Sequence, residues 1–281
     1  MAHWLSILQE FQIDTPAPTR PNGPVPALEP RPKAILFDVY GTLVCPQIGD
    51  LNEQTKLASG EKSFITTAER FGFSMDVGVK WHRWFFEAIS SEHREQEKRG
   101  VTLAEVQIDG IWTEMIARAG GDPCFVQPRM LGAYREFLAN PVRPFYGAAE
   151  ALAKLKRKGI MLGLASNSQF YTLPILGKAL GIKPEEFFKA ELTFLSFQLG
   201  FSKPSPYFFR LIRTRALSLG LRPAEVLVVG NDCENDVLPA QAQGLQALLF
   251  WGNAQSVRLG GTVDKGLMVT NYETLLKACG M

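Results

Sequence analysis

Short apolar runs and segments of helical periodicity alternate along most of the chain. Ala34-Ile-Leu-Phe leads into Asp38 and the turn Tyr40-Gly-Thr-Leu, the pattern of a buried strand that closes in a loop. Similar runs recur at 160–165, 192–197, 226–229, 247–251 and 267–269, and helices are expected at 148–158, 170–180, 206–219, 236–243 and 272–279. Strands alternating with helices in this way predict a parallel sheet covered by helices on both faces. The fold class is therefore α/β, a Rossmann-like three-layer core. Between residues 46 and 144 the strand pattern disappears, and helix-period segments take over at 61–71, 76–99, 103–119 and 127–138. They form an all-helical insertion planted directly after the first strand.

The N-terminal stretch reads differently. Seven of the 18 prolines fall within residues 15–32, which favours an extended, irregular arm. Ahead of it Trp4, Ile7, Leu8 and Phe11 recur at helical spacing and make a short amphipathic helix, expected to pack on its own chain. Docking on a second copy, giving a homodimer, is the alternative. The expected organisation is a helix and arm over 1–32, an α/β core over 33–45 and 145–281, and a helical cap over 46–144. Open α/β sheets bind ligands at the carboxyl ends of their strands, so the cap is expected to serve as a lid.

Composition narrows the function. The 281 residues are 46% hydrophobic and 21% charged, as in soluble globular chains, and the net charge of +2 is too small to draw nucleic acid or an anionic membrane. The expected partner is a small molecule. No apolar run reaches the roughly 18 to 20 residues that span a bilayer, and the N-terminus lacks a secretory pattern, so the cytoplasm is the expected location. Cys45, Cys124, Cys233 and Cys279 lie far apart and are expected as free thiols. His3, His82 and His93 have no zinc-ligand spacing, and the common dinucleotide, P-loop and serine-hydrolase motifs are absent. The chemistry is left to carboxylates.

Four polar clusters fall where the expected strands and their loops end: Asp38-Val-Tyr40-Gly-Thr42, Ser166-Asn167-Ser168, Lys203-Pro-Ser-Pro, and Gly230-Asn231-Asp232-Cys-Glu234-Asn-Asp236. In content and order the set resembles the haloacid dehalogenase-like (HAD) hydrolase superfamily, with a helical cap inserted after the first motif. The resemblance implies that Asp38 is a nucleophile that forms a covalent aspartyl intermediate, which suits a group ionised at pH 7. It implies that Lys203 neutralises the nucleophile and the transferring group, and that Tyr40, Thr42, Ser166 and Asn167 line the substrate site. An acidic fourth motif implies Mg²⁺, with Asp38, Tyr40, Asn231, Asp232 and Asp236 as the candidate ligands; Tyr40 would contribute its carbonyl.

Two departures decide between reactions. In the phosphatase branch the residue two after the nucleophile is a second Asp, an acid and base for the leaving alcohol and the water; here it is Tyr40, and a phenol with a pKa near 10 is a poor base at pH 7. Dehalogenases of the superfamily carry the Asp-x-Tyr-Gly-Thr-Leu motif found from Asp38 to Leu43, and a departing halide needs no proton. Asn231 also stands where the first acidic metal ligand is usual. The reading that results is a Mg²⁺-assisted phosphatase of a small organic phosphate. A metal-independent 2-haloacid dehalogenase and a weakly active or non-catalytic binding protein are the alternatives. A dehalogenase needs a cap arginine for the substrate carboxylate, for which Arg70 and Arg83 have suitable distances in sequence, while Trp81, Trp84, Phe85 and Phe86 either line a pocket or form the cap's core.

Overall fold

The computed structural model describes residues 3–47, 53–260 and 265–281. The chain divides into two compact units, Met1–Ile13 with Gln47–Val142, and Asp14–Pro46 with Arg143–Met281.

The larger unit is built on parallel strands. In chain order the strands are β1 (Ala34–Phe37), β2 (Val44–Pro46), β3 (Val142–Pro144), β4 (Met161–Ser166), β5 (Thr193–Leu195), β6 (Val226–Gly230), β7 (Gln246–Phe250) and β8 (Met268–Val269). Six of them form one sheet in the order β5-β4-β1-β6-β7-β8, with every pair parallel. This is the α/β, doubly wound arrangement that the alternation of strands and helices predicts, and the strand order reverses direction between β1 and β6. Every residue of β1 and β6 is buried, because helices cover both faces. The register sets Phe37 level with Leu164 and Val229, so Asp38, Ser166 and Asn231 all emerge at one carboxyl edge.

Three local differences from expectation have clear causes. The run at 192–197 gives a strand of only three residues, because Ser196 turns away to start a short helix and exchanges hydrogen bonds with the Ser168 main chain. The expected helix at 236–243 begins earlier, as a wide turn at Cys233–Val237 followed by Leu238–Gln241. Asp232 starts that turn by accepting the amides of Glu234 and Asn235. The small β2–β3 pair carries no periodic signal at three residues per strand.

The proline-rich stretch is irregular yet tied down. Ala17 N–H donates to Pro144 O (2.7 Å), Arg20 N–H to Gly252 O (2.9 Å), and the Gln246 side chain to Pro30 O (2.7 Å). It is a strap on the α/β unit rather than a free arm.

The helical unit contains α1 (Glu53–Arg70), α2 (Met75–Lys98), α3 (Ile108–Arg118) and α4 (Pro128–Ala139). Its core is Phe64, Trp81, Phe85, Trp112, Ile116 and Leu131, with the Trp81 indole donating to Met115 O at 3.1 Å. Two of the four aromatics considered as pocket lining, Trp81 and Phe85, therefore belong to this core, whereas Phe86 is exposed. Helix α3 starts five residues later than its periodicity predicts; Leu103 sits at φ 57°, outside helical geometry. The N-terminal segment forms a 3₁₀ helix over His3–Glu10 with Trp4 and Ile7 buried, and Phe11 stacks on Phe137 at 4.7 Å. Packing on its own chain is what the helical spacing predicts. Among the described residues no helix is long and apolar enough to cross a membrane.

Gly163 allows β4 and the segment entering β5 to approach closely, since a Cβ there would lie 2.1 Å from Leu192 O. Gly163→Ala is expected to cost about 1–3 kcal/mol of overpacking, read as a lower urea midpoint by circular dichroism; an unchanged midpoint would contradict this packing.

Candidate active site

Asp38 stands one residue past β1, its amide donating to Val229 O at 2.9 Å, so it is placed at the switch point of the sheet. The loop behind it is tight. Gly41 has φ +88°, and a Cβ on it would lie 2.4 Å from the Asn231 amide nitrogen, so only glycine lets the first and fourth motifs meet there.

The motifs converge on a buried ammonium. Lys203 Nζ donates to Asp38 Oδ1 (3.0 Å), to Ala165 O (2.8 Å) and to Asp236 Oδ1. An ammonium has three N–H donors, and these three acceptors use all of them. Lys203 thus grips both carboxylates, and in this arrangement no N–H is left over for a substrate oxygen. Burial alone would lower the Lys203 pKa, but the carboxylates of Asp236 and Asp38 outweigh it and raise the group to about 12. The Asp236 carboxyl is raised by its burial, with Lys203 pulling it down and Asp38 pushing it up. Asp38 Oδ1 is held by Lys203, while Oδ2 makes no hydrogen bond among the described residues. The N–H of Val39, the next residue, likewise donates no hydrogen bond among the described residues, although Val39 is fully buried.

The remaining expected residues are placed as follows. Ser166 is buried at the end of β4, its hydroxyl turned to Asn167 O at 3.4 Å. Thr42 Oγ1 donates to Asn231 Oδ1 at 3.3 Å, and the Asn231 amide donates to Ser256 O at 2.6 Å. The Tyr40 hydroxyl pairs with Thr172 Oγ1 at 3.1 Å. Asn167, expected on the substrate, has both ends of its amide on the Lys203 main chain: Nδ2 donates to Lys203 O (3.0 Å) and Oδ1 accepts from Lys203 N (2.7 Å).

The acidic loop departs most from expectation. Asp232 Oδ1 accepts the amides of Glu234 and Asn235, and Oδ2 accepts the Asn235 side chain at 2.7 Å, so this carboxylate shapes its own turn. Asp236 is divided between Lys203 and the Asp232 amide. Among the described residues no group of three or more His, Cys, Asp or Glu side chains is placed to hold a metal. Mg²⁺ is bound through one or two carboxylates and keeps several waters or phosphate oxygens. Asp38, the Tyr40 carbonyl and the Asn231 amide oxygen would offer one carboxylate and two neutral oxygens, a donor set whose chemistry suits a partly hydrated ion rather than an all-protein cage. The candidate cap arginines are engaged elsewhere: Arg70 binds Glu10 at 2.8 Å, and Arg83 is exposed beside Glu87. Sequence reasoning also missed Tyr272, whose buried hydroxyl donates to Thr42 O at 2.6 Å and props the loop after Asp38 from the helix Tyr272–Ala278.

The family model of the haloacid dehalogenase-like hydrolases matches residues 32–244. The chain belongs to this family. As a HAD-like hydrolase it is 30% identical over 129 residues to the glyceraldehyde 3-phosphate phosphatase of Methanothermobacter thermautotrophicus, covering 46% of this chain and 54% of that one. It is 29% identical over 139 residues to the phosphoserine phosphatase of Thermus thermophilus, covering 49% and 52%. The chain spans about half the length of these two relatives. Over 219 residues it is 26% identical to the ribulose-1,5-bisphosphate 5-phosphatase of Halopiger xanaduensis, covering 77% and 84%. Among solved structures, the 2-haloacid dehalogenase of Pseudomonas syringae pv. Tomato matches with a TM-score of 0.58 at 18% identity, covering 89% of this chain and 98% of that one. That likeness is one of fold.

The raised Lys203 pKa carries a stability consequence. A group whose folded pKa lies above its unfolded value stabilises fully below the unfolded value, 10.5, and the contribution disappears as the pH rises through about 12. Urea unfolding of the wild type is expected to lose about 2 kcal/mol over that window, a loss missing from Lys203→Met; parallel pH profiles would contradict the assignment.

Proposed function

We propose that this HAD-like hydrolase is a phosphatase of small organic phosphates, with Asp38 as its nucleophile. The observation that carries the reading is the pairing of Lys203 with Asp38 at the switch point, which fixes one oxygen of the carboxylate and leaves the other to attack. The phosphatase relatives support phosphate over other esters.

In the first step Asp38 Oδ2 forms a bond to phosphorus as the bond from phosphorus to the ester oxygen breaks, and the alcohol leaves with a proton from water. In the second, water attacks the phosphorus of the aspartyl phosphate, releasing inorganic phosphate and restoring the carboxylate. Lys203 stays protonated throughout and holds Asp38 as an anion in one orientation. The Val39 amide and the Ser166 hydroxyl bind phosphoryl oxygens, the charge that grows in transfer. Asp38, the Tyr40 carbonyl and Asn231 would hold Mg²⁺, which neutralises phosphate charge when bound. Tyr40 makes the second step slow, since its phenol does not serve as a base at neutral pH.

Tyr40 also favours the second reading, a 2-haloacid dehalogenase in which Asp38 displaces halide and no proton is required. A panel of phosphate monoesters and 2-haloacids, each with Mg²⁺ and with EDTA, separates the two. The expected result is phosphate release that EDTA suppresses and that Asp38→Asn abolishes. Halide release indifferent to EDTA would install the dehalogenase instead, and silence throughout would favour a binding role.

Tyr40→Asp supplies the missing acid and base and is expected to raise kcat for phosphate esters by about tenfold or more. No gain with any ester would count against the phosphatase reading.

A further inference from the structure

Lys203 reaches its carboxylates from a loop, the segment between Leu199 and the helix that begins at Pro206. A lysine side chain has four rotatable carbons, and its ammonium can hold three acceptors at fixed positions only if the main chain that carries it is also fixed. Hydrogen-bonded secondary structure does not do this at residue 203. Asn167 does: its side-chain amide closes a two-bond ring with the Lys203 N–H (2.7 Å) and carbonyl (3.0 Å) across 36 residues of sequence. The same β4 edge supplies Ala165 O to the ammonium, so one strand end holds Lys203 at both its main chain and its tip. Asn167 is itself exposed, and both ends of its amide are engaged by Lys203.

We propose that Asn167 is a positioning residue for Lys203, setting the orientation of the Asp38 carboxylate from the far end of the lysine rather than by touching substrate. The inference rests on the reading of Asp38 as the nucleophile. It separates two roles that a Ser-Asn pair at a strand end could play. A substrate ligand contributes to binding and changes KM, whereas a clamp on Lys203 alters how the nucleophile is presented and changes kcat. A misplacement of about 1 Å at a reacting group is enough to cost about a hundredfold in rate.

The test is a double-mutant cycle on Asn167→Ala and Lys203→Met, with a phosphate monoester and Mg²⁺, together with NMR of the Lys203 ammonium protons in uniformly ¹⁵N-labelled wild type and Asn167→Ala. Asn167→Ala is expected to lower kcat by about tenfold or more with KM within about twofold, and to lose this effect when Lys203 is already Met. Its ammonium protons are expected to exchange with water at least about tenfold faster than in the wild type, because the tip is no longer held in place. A KM effect with kcat retained, or a full Asn167→Ala effect persisting in the Lys203→Met background, would overturn the clamp and return Asn167 to the substrate. Where Lys203→Met is too inactive or too unstable to read, the kcat and KM of the single variant decide. If the wild type hydrolyses no ester, the phosphatase reading fails, and the ammonium exchange still decides the clamp: unchanged exchange overturns it.

Discussion

A single buried ammonium ties the α/β unit's four motifs into one site. Lys203 is almost wholly removed from water and carries a charge that such burial would make prohibitive alone. Its stability comes from three acceptors: a carbonyl at the end of β4, the carboxylate that follows β1, and a carboxylate from the loop after β6. Each acceptor belongs to a different strand connection, and all three strands are neighbours in the sheet. The topology thus does chemical work, because a doubly wound sheet is what sets these strand ends side by side.

Two carboxylates around one ammonium leave a net negative charge in a dry place. Asn231 adds no further charge to it. Its amide donates to Ser256 O and its oxygen accepts from Thr42, bonds an aspartate could not reproduce at the Ser256 carbonyl. Asp232, though acidic, is neutralised locally by main-chain amides and the Asn235 side chain, with Arg258 at 3.7 Å. The loop is acidic in composition, but the carboxylates of Asp232 and Asp236 are engaged in structure.

Much of this is legible in the sequence. Apolar runs closing in polar residues mark strand ends, and parallel topology gathers strand ends at one edge, so the hydrophobic pattern by itself groups Asp38, Ser166 and the Gly230 loop. The helical unit is legible for the same reason: periodicity over 76–99 gives α2 within one residue at each end. What spacing does not carry is which donor meets which acceptor. Asn167 reads as a polar residue beside a site, and only the fold shows it turned onto the lysine backbone. Asp232 and Asp236 sit four residues apart in one acidic run, yet one caps a turn while the other faces an ammonium. Tyr272, near the far end of the chain, gives no signal, since a buried tyrosine in a helix reads first as packing.

In the proposed reaction Asp38 Oδ2, left open by the grip of Lys203 on its partner oxygen, attacks phosphorus. Rapid acid quench of the enzyme during turnover of a phosphate monoester, followed by borohydride reduction and peptide mass spectrometry, tests it directly. Asp38 alone is expected to be reduced at its side chain, to homoserine, as an aspartyl phosphate requires. Phosphate release with Asp38 unmodified, or with reduction at another carboxylate, would contradict it.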